Sequence, residues 1–198
     1  MIDPLVRAVL DELEAFGEEN DRVETDRSRK MLNLERATAE LVRALIAPRK
    51  AQRILEIGTS NGYSTIWLAA SVAPGGRVLS MDRNALKTAM AKANLERAGL
   101  LDRVELLTGD ATELTAKLAG PFDGVFDVVF FDADRFSAPE QLRLLRPKLA
   151  QEALLLADNA FSHPQEIAEY LAAIETLPDS EHTVVPVGKG LSVAFRVA

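Results

Sequence analysis

The chain has 198 residues, a formal net charge of −7 and no cysteine, so disulfides and thiolate metal sites are excluded and His163 and His182 are the only imidazoles. No run approaches the roughly 18 apolar residues of a membrane span, and the acidic balance opposes a nucleic-acid partner held by its phosphates. With 47% hydrophobic residues and no Pro- or Ser-rich linker, residues 1–198 are expected to form one α/β domain. Asp3, Asp11, Glu12 and Glu14 near the start point to a cytoplasmic protein rather than an exported one.

In chain order, Leu5, Val6, Val9, Leu10, Leu13 and Phe16 recur at three- and four-residue spacing and predict a helix with one apolar stripe. Residues 17–28 are almost entirely polar and predict a link to a second helix over 32–47, with Leu34, Leu41, Val42 and Leu45 inward and Pro48 closing it. Within the link, Arg22, Arg27, Arg29 and Lys30 form a small basic patch, either a solvated face or a contact for an anionic ligand. Such a helix pair can cover the mouth of a sheet, pack on another subunit or finish the core. The pattern leaves these three open.

The stretch RILEIGTSNGYS, residues 53–64, is the organising element. Ile54, Leu55 and Ile57 predict a buried parallel strand that stops at Gly58, and Gly62 opens a helix. Gly58 would let the backbone approach a ligand, and Gly62 would start the helix tight on the sheet with free amides toward an anion. The glycine spacing is not the GxGxxG of a dinucleotide turn. Residues 64–71 continue as helix with Ile66 and Trp67 in the core. A second strand over 77–81 ends in Asp82, where a βαβ nucleotide fold puts the acid that accepts from ribose hydroxyls; capping of the next helix is the plainer alternative. That helix spans 86–98 and stops at Gly99, and a third strand over 104–107 ends in Gly109, Asp110 and Ala111.

Two further apolar runs, 126–131 and 153–156, stop in Asp132, Ala133, Asp134 and in Ala157, Asp158, Asn159. In a doubly wound sheet the first and fourth strands meet where the order reverses and the fifth lies beside the fourth, so Asp132, Asp158 and Asn159 would converge beside Gly58 as hard oxygen ligands suited to Mg²⁺. Without convergence they are turn residues at strand ends. Ser162 and Gln165 then predict a capping box opening a helix to about residue 176, and 182–187 with 191–197 predict a closing hairpin around Gly188, Lys189 and Gly190.

EIGTSNGYS, Asp82, GDA, FFDAD and ADN, in this order, resemble the class I S-adenosylmethionine-dependent methyltransferases, specifically the metal-dependent catechol and caffeoyl-coenzyme A O-methyltransferases. The resemblance covers residue 31 to the C-terminus. It implies a doubly wound sheet of seven strands in the order 3-2-1-4-5-7-6, with the last strand antiparallel, helices on both faces and two extra N-terminal helices. It further implies that Gly58 and Ser64 contact the methionine part of S-adenosylmethionine, Asp82 its ribose, and Asp110 with Ala111 its adenine. Glu56, Gly62, Arg83 and Asp132 join the cofactor-binding set, and Asp132, Asp158 and Asn159 match the metal ligands. A small phenolic or catechol-like acceptor and a homodimer are implied in the same way.

An activated methyl on sulfonium needs only a deprotonated oxygen in line with it, and a divalent ion chelating two acceptor oxygens would supply both acidity and aim. The chain departs from its relatives at Arg135, where they carry a lysine regarded as general base. Arginine stays protonated and could hold an oxyanion instead. His163 is a second candidate base. The competing expectations are methylation of a modified tRNA nucleoside, a cofactor-binding protein without turnover, and a nicotinamide-dependent oxidoreductase of similar fold.

Overall fold

Seven strands hydrogen-bond into one sheet in the computed structural model, which describes residues 2–118 and 125–197. Met1 and Ala198, the ends of the expected domain, lie outside the described residues. The strands are β1 (Arg53–Ile57), β2 (Arg77–Asp82), β3 (Val104–Thr108), β4 (Phe126–Phe131), β5 (Leu149–Ala157), β6 (Ser180–Val185) and β7 (Leu191–Arg196). Their order is β3-β2-β1-β4-β5-β7-β6, as the sequence implied. Strands β1 to β5 are parallel, and β7 is antiparallel to both of its neighbours.

Alternation along the strands divides the core into two layers. Ile54, Val78, Val128, Phe130, Leu154 and Leu156 face α1 (Pro4–Val23), α2 (Arg36–Ile46), α3 (Tyr63–Ala69) and α4 (Ala85–Arg97). Leu55, Ile57, Leu79, Val129, Phe131 and Leu155 face α5 (Ala111–Ala116), α6 (Ala138–Leu145) and α7 (Pro164–Glu175). Strand β5 begins at Leu149, earlier than its apolar run suggested, because exposed Gln151 and Glu152 still lie in the strand while the register against β4 shifts between Phe126 and Val128.

The N-terminal elements differ from expectation in extent. Helix α1 is capped by the Asp3 carboxylate, which accepts from Leu5 N at 2.8 Å, and it continues through the polar stretch to Val23 instead of yielding to a linker at Gly17. A helix turn that faces solvent needs no apolar residue, so the periodic signal ends before the helix does. Leu5 and Phe16 are exposed rather than part of the buried stripe. Helix α2 starts at Arg36, four residues later than expected, since Leu32 adopts a left-handed conformation with φ 51°.

Helix α1 finishes the core. Val6, Val9, Leu10 and Leu13 pack in the same cluster as Leu34, Val42, Ile46 and Trp67, and the Arg7 guanidinium carbon lies 5.4 Å from the Trp67 ring centre. Arg36 of α2 pairs with Asp11 at 2.5 Å and also with Glu14, fixing the two helices together. Truncating Leu10, which is wholly buried, is therefore expected to cost about 2–5 kcal/mol. Urea denaturation of Leu10→Ala measures this, and a loss below about 0.5 kcal/mol would make α1 an accessory to the core.

Candidate functional site

Each parallel ladder gains one rung beyond its last strand residue, and those rungs assemble the site. Gly58 N donates to Met81 O at 2.9 Å, Asp132 N to Ile57 O at 2.8 Å, Asp158 N to Phe131 O at 3.2 Å, and Gly109 N to Asp82 O at 3.0 Å. The residues after β1, β3, β4 and β5 are thereby held along one edge of the sheet. Gly58 has φ 110°, and a Cβ there would stand 2.2 Å from the Asp132 carbonyl oxygen. Only glycine allows this approach.

Asp82 is the clamp of the turn. Its carboxylate accepts from Ser60 N and from Asn84 N, both at 2.8 Å, while Asn84 caps α4 through Leu86 N and Lys87 N. The helix cap therefore falls to Asn84, and Asp82 keeps lone pairs for further donors. Gly62, at φ 88°, is pressed on α4, where a Cβ would meet the Ala91 Cα at 3.0 Å. The expectation of free amides at this helix start needs correction. Gly62 N donates to Thr59 O at 2.9 Å and Tyr63 N to Asn61 Oδ1 at 3.2 Å, so both are spent inside the turn. Ser64 is buried, Arg83 is exposed, and Asp110 caps α5 by accepting from Thr112 N and Glu113 N, with Ala111 opening that helix.

Beneath the turn, Glu56 is fully buried and its Oε2 accepts from Thr65 Oγ1 and Ser80 Oγ, both at 2.5 Å. Oε1 has no partner among the described residues. Thr65 and Ser80 escaped the sequence reading, although a serine inside the apolar run of β2 is a signal of a buried polar partner. The bonds made by residues 30–32 carry no local signal, although Lys30 belongs to the basic patch of the link. Ser60 Oγ donates to Met31 O at 2.7 Å, and Lys87 Nζ to Lys30 O at 2.6 Å. Asp21 of α1 accepts from Met31 N at 2.6 Å and Leu32 N at 2.7 Å. This segment is thus strapped across the turn that follows β1.

Asp132 and Asp158 act on one another electrostatically, and both carboxyls are pushed up: Asp132 by burial, then by Asp158 and Glu56; Asp158 chiefly by burial. Asp158 Oδ2 accepts from Asn159 Nδ2 at 2.9 Å, whereas its buried Oδ1 has no partner among the described residues. Asn159 takes a left-handed conformation at φ 71°. The same described residues contain no group of three or more His, Cys, Asp and Glu that could hold a metal, so the set in question is two carboxylates and one amide.

Arg135 and His163 are both engaged. Arg135 Nε and Nη2 donate to Glu166 Oε2 at 2.9 and 2.6 Å. Glu166 lies in the first turn of α7, and nothing local in the sequence links the two. Ser162 Oγ lies 3.0 Å from Asn159 Oδ1 and 2.8 Å from His163 Nδ1, so the expected capping box with Gln165 does not form and His163 itself is the N-cap residue.

The profile of a family described as O-methyltransferase matches residues 9–196. The chain belongs to the O-methyltransferase family. Among members of that family it is 38% identical over 120 residues to the catechol O-methyltransferase of Mycobacterium tuberculosis, covering 61% of this chain and 53% of that one. The chain thus spans about half the length of the curated relatives it matches. The O-methyltransferase from Bacillus cereus in complex with SAH superposes with TM-score 0.80 at 25% identity, covering 96% of this chain and 90% of that one. TomG of Streptomyces achromogenes, in complex with SAM, superposes with TM-score 0.81 at 25% identity, covering 99% and 91%. The family fold is therefore the fold described above.

Burial pushes the Glu56 carboxyl up to about 7, against the pull of the hydroxyls around it, from an ordinary value of 4.5. A carboxyl raised on folding contributes stability that is complete below 4.5 and lost as pH rises through 7. Between about pH 5 and about pH 8 the native protein should lose up to about 3 kcal/mol that Glu56→Gln does not lose. Thermal denaturation of the two proteins with chelator present measures the difference, and parallel Tm curves would sink the assignment.

Proposed function

We propose that this chain transfers a methyl group from S-adenosylmethionine to a hydroxyl of a small phenolic or catechol-like acceptor, with a divalent metal, Mg²⁺, assisting. The observation that carries the reading is the single row formed by Gly58, Asp132 and Asp158 beyond adjacent strands, with Asp82 clamping the turn at its side. In this reading the methionine part of the donor lies over Gly58 and Ser64. Asp82 accepts from the ribose hydroxyls, and Asp110 with Ala111 borders the adenine. Glu56, Gly62, Arg83 and Asp132 complete the surround, Glu56 from below and Gly62 by holding α3 against α4.

Asp132, Asp158 and Asn159 suit a hard cation. All three offer oxygen, Asp158 Oδ1 is buried without a partner among the described residues, and a cation would relieve two carboxyls now pushed up by burial and each other. A divalent ion held there would supply Lewis acidity to an acceptor hydroxyl. The remaining work is positional. The acceptor oxygen must lie in line with the S–CH₃ bond, and exposed Phe136 and Phe161, each close in sequence to a proposed ligand, offer apolar surface to an aromatic ring. The M. tuberculosis relative, named for catechol, supports that acceptor class. A homodimer fits exposed Leu5, Phe16 and Val23, which share one side of α1.

Isothermal titration with S-adenosylmethionine tests the cofactor. The native protein should bind it, and Asp82→Ala should bind about tenfold or more weakly through loss of charged hydrogen bonds to the ribose. Asp158→Ala should keep donor binding but lose Mg²⁺-dependent methylation of catechol. Binding of NAD in place of the methyl donor would overturn the reading.

A further inference from the structure

The metal-ligand candidates lie in a basin of negative charge that includes Glu56, and Glu35 also acts on Asp158. An acceptor that reacts as an oxyanion needs a positive charge there that is not already spent. Arg135 does not meet that need, since both its Nε and Nη2 donate to Glu166.

The tip of the β6–β7 hairpin supplies one. Lys189 O accepts from Phe161 N at 2.8 Å and Ser162 N at 3.2 Å, and Gly190 O accepts from Ala160 N at 2.9 Å, so the tip is bonded directly to the loop that follows Asp158 and Asn159. Both flanking glycines are left-handed, and a Cβ on either would clash. A Cβ on Gly188 would stand 2.4 Å from Thr38 Oγ1 and 2.5 Å from Glu35 Oε2, and one on Gly190 would stand 2.7 Å from Phe161 N. The turn is thus wedged between the start of α2 and the Asn159 loop, and Lys189 is its one residue with a side chain. At a hairpin tip a lysine ordinarily extends into water. Here it is half-buried, and no hydrogen bond or ion pair engages its Nζ among the described residues. Its charge acts on both Asp132 and Asp158, and on each more strongly than that of Arg135.

We propose that Lys189 is an acceptor-binding residue whose ammonium group holds the reacting phenolate oxygen beside Asp132 and Asp158. This rests on the methyltransferase reading above. The acceptor hydroxyl gives its proton to water. The oxygen lone pair then forms the O–CH₃ bond while the S–CH₃ electron pair returns to sulfur, neutralising the sulfonium. Lys189 stays protonated throughout and lowers the cost of the anion before transfer. The role belongs to a hairpin formed late in the chain, not to the position three residues after Asp132.

The test uses 4-nitrocatechol, whose visible absorption reports its ionisation, bound to the full chain with S-adenosylhomocysteine and Mg²⁺. In the native protein the bound phenol should ionise at lower pH than in Lys189→Met by about one unit or more, and Lys189→Arg should keep most of that shift because only a fixed positive charge is required. S-adenosylhomocysteine should bind all three proteins equally, which shows that the methionine variant is folded. Equal ionisation in native and Lys189→Met proteins with nitrocatechol bound to both would overturn the role of Lys189 alone. A shift lost as fully in Lys189→Arg as in Lys189→Met would also overturn it. Failure of the native protein to bind nitrocatechol while it binds S-adenosylhomocysteine would instead remove the phenolic-acceptor reading and this inference with it.

Discussion

The contact on which the rest of the structure depends is the approach of Gly58 to the Asp132 carbonyl. Sheet hydrogen bonds normally end with the strands, yet here the ladders run one residue further, through Gly58 N to Met81 O and Asp132 N to Ile57 O. A side chain at residue 58 would stand 2.2 Å from the Asp132 oxygen and push the two loops apart. With no side chain, the loop after β1 and the loop after β4 stay in register, and Asp158 follows through its own bond to Phe131 O. The crevice beyond the carboxyl ends of a doubly wound sheet is the general place for a ligand in such folds. The glycine sets how closely its two walls meet.

That closeness carries an electrostatic cost. Glu56, Asp132 and Asp158 all have carboxyls pushed up by burial, and each also feels an acidic neighbour. The chain answers with hydroxyls on Glu56, an amide on Asp158 and a cation at the hairpin tip. Carboxyls perturbed by burial and by like-charge neighbours cluster at functional sites. The same arrangement explains the position of Arg135, whose bond to Glu166 ties the loop after β4 to the first turn of α7.

What could be read from the sequence followed the range of the interactions. Apolar runs that stop in acids marked β1, β2, β4 and β5, since a buried parallel strand is a local pattern and the residue after it faces the crevice. The order of the strands followed from the resemblance and from the antiparallel hairpin at the end. The length of α1 was illegible, because residues 17–23 lie on turns that face mostly solvent and carry no period. The capping box failed for a different reason. Ser162 is drawn to Asn159 and His163 by the hairpin tip bonded to that loop, a tertiary effect that no spacing rule contains. Likewise the Glu56 partners lie nine and twenty-four residues away, and the strap over the turn joins α1 to residue 60.

The position of β7 has a consequence for the order in which the molecule can be completed. Although it is the last strand in the chain, it sits between β5 and β6 rather than at a margin. Until residues 191–196 have been synthesised, β5 presents a row of unpaired backbone groups with Ala153, Leu154, Leu155 and Leu156 on either side. An open apolar edge of this kind recruits strands from other molecules. A chain that stops before this point keeps that apolar edge open, although strands β1 to β5 and the ladders between them are already complete.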